Sequence, residues 1–119
     1  KAVMDLGPKM LIIKRGEHGS LYFGQDEVFA APALLLGDVA DPTGAGDSFA
    51  GGLLGFLAAA ESFGDDAAKA HDTMRRAVVH GTATASCCVE GVGTSKLTSL
   101  ERSDVDKRVA RIKALSRMP

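Results

Sequence analysis

The sequence predicts an α/β layer fold in which short strands come first and helices follow, joined by one glycine-rich loop. Three observations carry this. Short β-prone runs bounded by Gly and Pro stand at residues 10–13, 21–23 and 28–30. Longer stretches with helical periodicity begin at Phe49, near residue 65 and after Glu101. Between the two groups lies Asp41-Pro42-Thr43-Gly44-Ala45-Gly46-Asp47. The order strand, hairpin, helix, helix, helix is half of an α/β layer fold.

Ala2, Val3 and Leu6 followed by Gly7-Pro8 read as the last turn of a helix and its stop signal. With Lys1 as the first residue, this is the pattern of a piece of something longer. Met10-Leu11-Ile12-Ile13 is a continuous apolar run after the Gly-Pro break, which suits a strand buried on both faces of a parallel sheet. It ends in Lys14-Arg15-Gly16-Glu17-His18-Gly19, a turn in which His18 is a solvated side chain. Leu21-Tyr22-Phe23 and Val28-Phe29-Ala30 flank Gly24-Gln25-Asp26, the arrangement of an antiparallel hairpin whose aromatics serve the core. Residues 31–39, with Pro32 and Gly37, connect the hairpin to the loop.

The loop should become a helix. Pro42 fixes its own φ and biases Asp41 toward an extended conformation, and the two glycines permit a tight turn or a close approach. The Gly-Ala-Gly-Asp segment therefore falls at a helix N-terminus, where the first amides lack intrahelical acceptors and the dipole is positive. Unhindered N–H groups of Gly44, Ala45 and Gly46 would make an anion pocket for a group such as phosphate. Asp47 does not belong in a pure anion cradle, because a carboxylate repels phosphate; its place suggests orienting a hydroxyl and receiving its proton during phosphoryl transfer. A Walker A loop would need Lys where Asp47 stands, and a dinucleotide fingerprint would need Gly or Ala where Phe49 stands, so both motifs are excluded.

The helix after the loop carries Phe49, Leu53, Phe56, Leu57 and Ala60 on one stripe and Gly51, Gly52 and Gly55 on another, so burial all round is expected. Its glycines would permit close backbone approach. A second helix is expected from about residue 65 to 89, with Ala67, Ala70, Met74, Ala77, Val78, Gly81, Ala85 and Cys88 on one face and Lys69, Asp72, Arg76 and His80 on the other. Glu90-Gly91-Val92-Gly93-Thr94-Ser95 is a further glycine-rich loop. Thr98-Ser99-Leu100-Glu101 forms a capping box for the last helix, in which Val105, Val109 and Ile112 are the buried stripe. Lys107, Arg108, Arg111, Lys113 and Arg117 make its outer face basic.

With 119 residues and 45% apolar content, the chain can form one domain with a modest core. A net charge of -1 gives no field suited to nucleic acid or an anionic membrane, so neither is expected as a partner. The longest apolar stretch, 49–60, falls short of the roughly 20 residues of a membrane span. No signal peptide is visible, and Cys87 and Cys88 are adjacent, where an ordinary disulfide is awkward. Reduced thiols in the cytoplasm follow, and no metal-ligand spacing is seen.

Residues 41–54 closely resemble, without a gap, the second signature of the ribokinase-like (PfkB) carbohydrate kinase family, an Asp-x-x-Gly-Ala-Gly-Asp loop leading into a small-residue helix. The resemblance implies that residues 1–119 are the C-terminal part of a three-layer α/β/α fold, with the N-terminal half and lid outside it. It implies that the amides of Gly44, Ala45 and Gly46 form an anion hole and that Asp47 is the catalytic base. Lys14, Gly16 and Gly19 fall where the family contributes to its nucleotide site, with Lys14 standing where many members have threonine. Gly91 and Gly93 correspond to a loop against the nucleotide. Asp41 and Thr43 would supply oxygens to a monovalent cation, K⁺. ATP and Mg²⁺ are implied, the family's metal-associated residues lying upstream of Lys1. The implied reaction is ATP-dependent phosphorylation of a hydroxyl on a sugar or related small molecule, and homodimerisation through the lid is a family property. Two alternatives stay open: a nucleoside (adenosine-like) kinase of the same family, and a nucleotide-binding fragment without catalysis.

Overall fold

β1 (Leu11–Lys14), β2 (Ser20–Phe23) and β3 (Val28–Ala31) pair antiparallel in chain order. The computed structural model describes residues 3–24, 26–34, 44–60, 67–89 and 100–115. Cross-strand partners are Ile12 with Tyr22, Lys14 with Ser20, Tyr22 with Phe29 and Ser20 with Ala31. Because partners share a face and successive side chains alternate, these six residues form one side of the sheet. Ser20, Tyr22 and Ala31 are buried on it.

The hairpin expected around Gly24 is present, its turn closed by a 2.8 Å hydrogen bond from the Gly24 N–H to the Glu27 carbonyl. The β1–β2 turn is a single 3₁₀ turn, Gly16–His18, ending at Gly19 with φ 85°. A Cβ at Gly19 would overlap the Ala31 carbonyl, so both the positive φ and the crowding require glycine. β1 departs from expectation. It pairs antiparallel with β2 rather than within a parallel sheet, and Ile13 is 42% exposed. A continuous apolar run specifies a strand that can be covered on both sides; on the side that Ile13 faces, Val28 is also exposed.

Three helices follow among the described residues: α1 (Ala45–Ala59), α2 (Ala67–Cys88) and α3 (Arg102–Leu115). α2 is the central one. On one side it meets α1 and the sheet, enclosing Tyr22, Phe49, Leu53, Met74, Ala77 and Val78. On the other it meets α3 around Val79, Ala83, Val109 and Ile112, with Leu34 beside them. Burying a side chain of this size stabilises by about 1.5–3 kcal/mol, so the Val105, Val109, Ile112 stripe read from sequence does fasten α3. Small residues set the α1–α2 separation. A Cβ at Gly81 would come 2.7 Å from the Phe49 carbonyl oxygen, and one at Gly52 would come 3.2 Å from the Gly81 Cα.

Three expectations are revised, and one left open is decided. α1 is not buried all round: Leu54 is 61% exposed, and Gly51 and Gly55 face open space, so only Gly52 serves close approach. His80, which could face solvent or a neighbouring helix, takes the second course: its ring packs on Phe56 of α1 with centroids 4.5 Å apart, and burial lowers its pKa below the usual 6.5. α3 begins at Arg102, where the Glu101 N–H donates to Asp104 Oδ2 at 3.1 Å, so Asp104 supplies the returning half of the cap; Thr98 and Ser99 lie outside the described residues. Arg108 turns inward and donates to Ser86 Oγ at 3.1 Å instead of joining the outer basic face.

Polar contacts tie the hairpin to α2. The Tyr22 hydroxyl is hydrogen-bonded to His71 Nδ1, and Glu27 pairs with Arg75. Burial, and secondarily the Glu27 carboxylate, raises the Tyr22 pKa and keeps this hydroxyl protonated. Among the described residues, no helix is long and apolar enough to cross a membrane.

Candidate active site

The start of α1 is built as a site by its glycines. Gly44 is the N-cap at φ 84° and ψ -2°, a left-handed conformation that turns the incoming chain sharply into the helix. The first intrahelical bond runs from the Ser48 N–H to the Gly44 carbonyl at 2.9 Å. The amides of Ala45, Gly46 and Asp47 therefore precede the helical ladder, and among the described residues no backbone acceptor meets them. Such amides, at the positive end of the dipole, attract anions.

Lys14 brings charge to the same place from the sheet. Its Nζ lies 3.4 Å from the Gly46 carbonyl oxygen and 5.6 Å from the centroid of the Phe49 ring. The cation over the ring face holds the side chain across the helix start. A Cβ at Gly46 would stand 2.9 Å from this ammonium, so the absence of a side chain there keeps the Lys14 head beside the amides.

Behind this contact opens a cavity of about 540 Å³ between the sheet, α1 and α2. That volume suits a small molecule of nucleotide size. Five residues marked by the sequence meet in its wall: Lys14, Gly16 and Gly19 from β1 and its turn, and Ala45 and Gly46 from α1. Much of the remaining wall is apolar, from Leu34, Phe49, Ala85 and Val89. Three hydroxyls also line it. Thr82 Oγ1 donates to the Val78 carbonyl at 2.9 Å and Ser86 Oγ to the Ala83 carbonyl at 2.7 Å. Ser20 Oγ, in a residue only 3% exposed, has no hydrogen-bond partner among the described residues. The enclosure thus joins a cation and amides without a described backbone acceptor at one end to apolar walls, an arrangement for a ligand with an anionic end and a flat apolar body.

Asp47 occupies the third helical position of α1, exposed and outside the cavity lining. Gly44 is also exposed and does not line the cavity. Asp41, Thr43, Gly91 and Gly93 lie outside the described residues. Among the described residues, no group of three or more His, Cys, Asp or Glu side chains could hold a metal, so no ligand set for Mg²⁺ is found there. Ser20, Thr82 and Ser86 were not marked by the sequence. For Ser20 a signal exists: it stands two residues before Tyr22, and the period of a strand puts both on the inward face.

Comparison with known proteins bears on the family and the fold. Residues 1–101 match the model of the pfkB family carbohydrate kinase. A nucleoside kinase of Methanocaldococcus jannaschii is 37% identical over 83 residues, which are 70% of this chain and 24% of that protein. Its solved structure, that of an archaeal member of the ribokinase family, superposes with a TM-score of 0.66 over 87% of this chain and 30% of that one. A cytidine kinase of Thermococcus kodakarensis is 47% identical over 49 residues, covering 40% of this chain and 18% of that protein. Aminoimidazole riboside kinase from Salmonella enterica, solved with aminoimidazole riboside and an ATP analogue, superposes with a TM-score of 0.74 at 29% identity, covering 92% of this chain and 34% of that one. The chain thus spans a quarter to a third of the length of the nucleoside and riboside kinases.

Proposed function

The chain belongs to the pfkB family of carbohydrate kinases, with a ribokinase-like fold, and from this premise we propose that it transfers the γ-phosphoryl group of ATP to a hydroxyl of a sugar or nucleoside. The observation that carries the proposal is the meeting of Lys14 with the first turn of α1 at the mouth of an apolar-walled cavity. ATP has the matching form, a polyanionic tail on a flat heterocycle.

In this reading the Gly44, Ala45 and Gly46 amides hold the transferred phosphoryl group and stabilise charge on its equatorial oxygens, as a preorganised oxyanion hole does. Lys14 neutralises part of the polyphosphate charge. Asp47 meets the acceptor. Its place on the first turn of α1, directly after Gly46, supports this assignment, although its side chain is exposed and does not face the cavity as the sequence led one to expect. The acceptor oxygen forms the new bond to Pγ, the bond from Pγ to the bridging oxygen breaks, and the acceptor proton passes to the Asp47 carboxylate as ADP leaves. Positioning is the main contribution of Asp47, since the transition state is loose. Mg²⁺ would accompany ATP and offset its charge. Asp41 and Thr43 remain the proposed K⁺ contacts, Gly16, Gly19, Gly91 and Gly93 the further nucleotide contacts, and the cytoplasm the proposed setting.

A nucleoside acceptor is the narrower reading favoured by the comparisons, since the curated relatives are a nucleoside kinase and a cytidine kinase. An ATP-consumption assay on the intact protein, with Mg²⁺ and K⁺ over a panel of sugars and nucleosides, tests both levels. Turnover is expected with at least one nucleoside. Turnover with sugars alone would refute the narrower reading. ATP binding without turnover on any acceptor would replace the kinase by a nucleotide-binding module.

A further inference from the structure

Ser20 is a buried hydroxyl with an open hydrogen-bonding capacity at the wall of the cavity. It is 3% exposed, and its Oγ has no partner among the described residues. Buried hydroxyls are nearly always satisfied, and one left orphaned costs free energy that an alanine at the same place would not. The other two hydroxyls of the wall differ, because Thr82 and Ser86 donate to carbonyls of their own helix. Among the described hydroxyls of this wall, Ser20 is therefore the one whose hydrogen bond remains to be made.

Its place relative to Lys14 says which part of a ligand it would meet. The two residues are cross-strand partners, so their side chains leave the sheet together on the same face. Lys14 reaches onward from that rung to the Gly46 carbonyl at the anion-binding end. The short Ser20 side chain stays at the sheet, a lysine's length behind the phosphate position and within the apolar part of the enclosure. Resting on the proposed ATP site, we infer that Ser20 Oγ hydrogen-bonds the nucleoside half of the bound nucleotide, through its ribose or its base, and so acts as a specificity contact rather than a phosphate contact.

The test is the affinity of the intact protein and its Ser20→Ala variant for ATP and for inorganic tripolyphosphate. Thermal midpoints are measured without ligand. Loss of a single hydrogen bond predicts ATP binding weakened on the order of tenfold, with tripolyphosphate binding unchanged. The unliganded variant should melt no lower than the parent, since an orphaned hydroxyl has been removed. Using 2′-deoxy-ATP and 3′-deoxy-ATP separates the two sources: a variant penalty that vanishes with either assigns the ribose, and one that persists with both assigns the base. Unchanged ATP affinity overturns the inference. So does an equal loss for tripolyphosphate, or a lowered unliganded midpoint, which would give Ser20 a phosphate or structural role. Failure of the parent to bind ATP at all would instead overturn the nucleotide site itself, and the Ser20 contact with it.

Discussion

Lys14 Nζ rests 3.4 Å from the carbonyl oxygen of Gly46, joining the end of β1 to the first turn of α1 across 32 residues of sequence. The side chain is exposed, so the contact contributes little to stability. Its consequence is placement of charge. Lys14→Met keeps the aliphatic stem and removes the cation, and is expected to weaken ATP binding about tenfold while leaving the melting temperature nearly unchanged. Titrations at two salt concentrations check the cause, because the variant should also show a shallower salt dependence.

Gly46 separates folding from binding. Its backbone is compatible with an ordinary helix, and the Cβ of an alanine would meet only the movable Lys14 ammonium. Gly46→Ala should therefore raise stability by up to about 1 kcal/mol through helix propensity. The same methyl displaces Lys14 and intrudes beside the bare amides, so ATP binding should fall. Calorimetric melting paired with nucleotide titration reads both effects, and a variant that binds ATP normally would show that the amides of this turn are not the anion site.

Gly81 and Gly51 predict opposite signs for one substitution. Gly81→Ala would press against the Phe49 carbonyl and ring where α1 crosses α2, costing about 1–3 kcal/mol by overpacking. Gly51→Ala meets open space on α1 and should stabilise by about 0.5–1 kcal/mol. Urea unfolding of the two variants decides the matter, with midpoints moving in opposite directions.

His80 supplies a pH dependence. Burial against Phe56 lowers its folded-state pKa below 6.5, with Arg102 and Lys113 acting in the same direction and Asp106 opposing. Near and below that pH the unfolded chain binds the proton more readily than the folded one, so stability is lost as pH falls through about 6.5. His80→Leu should flatten this part of the stability profile. Equal slopes for parent and variant between pH 5 and 7, measured by denaturant unfolding, would assign the dependence to other groups.

Much of this was legible in the sequence because it is local. The helix start at Gly44 to Asp47, the hairpin around Gly24 and the stripes on α2 and α3 depend on chain stiffness, turn chemistry and periodicity within a few residues. Periodicity also names which residues share a face, but not what covers that face. That is why Ile13 and Leu54 were expected inside and are exposed, and why Arg108, expected in solvent, reaches Ser86. Ser20 is not legible for a related reason: a serine at a strand end usually signifies a turn, and only the pairing with Lys14 and Ala31 brings it to the cavity wall.

Asp47 carries the central claim, a carboxylate on the first turn of α1 that orients the acceptor hydroxyl. Single-turnover phosphoryl transfer by the intact protein, comparing parent with Asp47→Asn at saturating ATP, measures that role with the shape of the side chain preserved. The account predicts a rate lower by about 10²–10⁴-fold, as for loss of a positioned acid–base group, with ATP affinity nearly unaltered. A variant that transfers phosphate at close to the parental rate would contradict it.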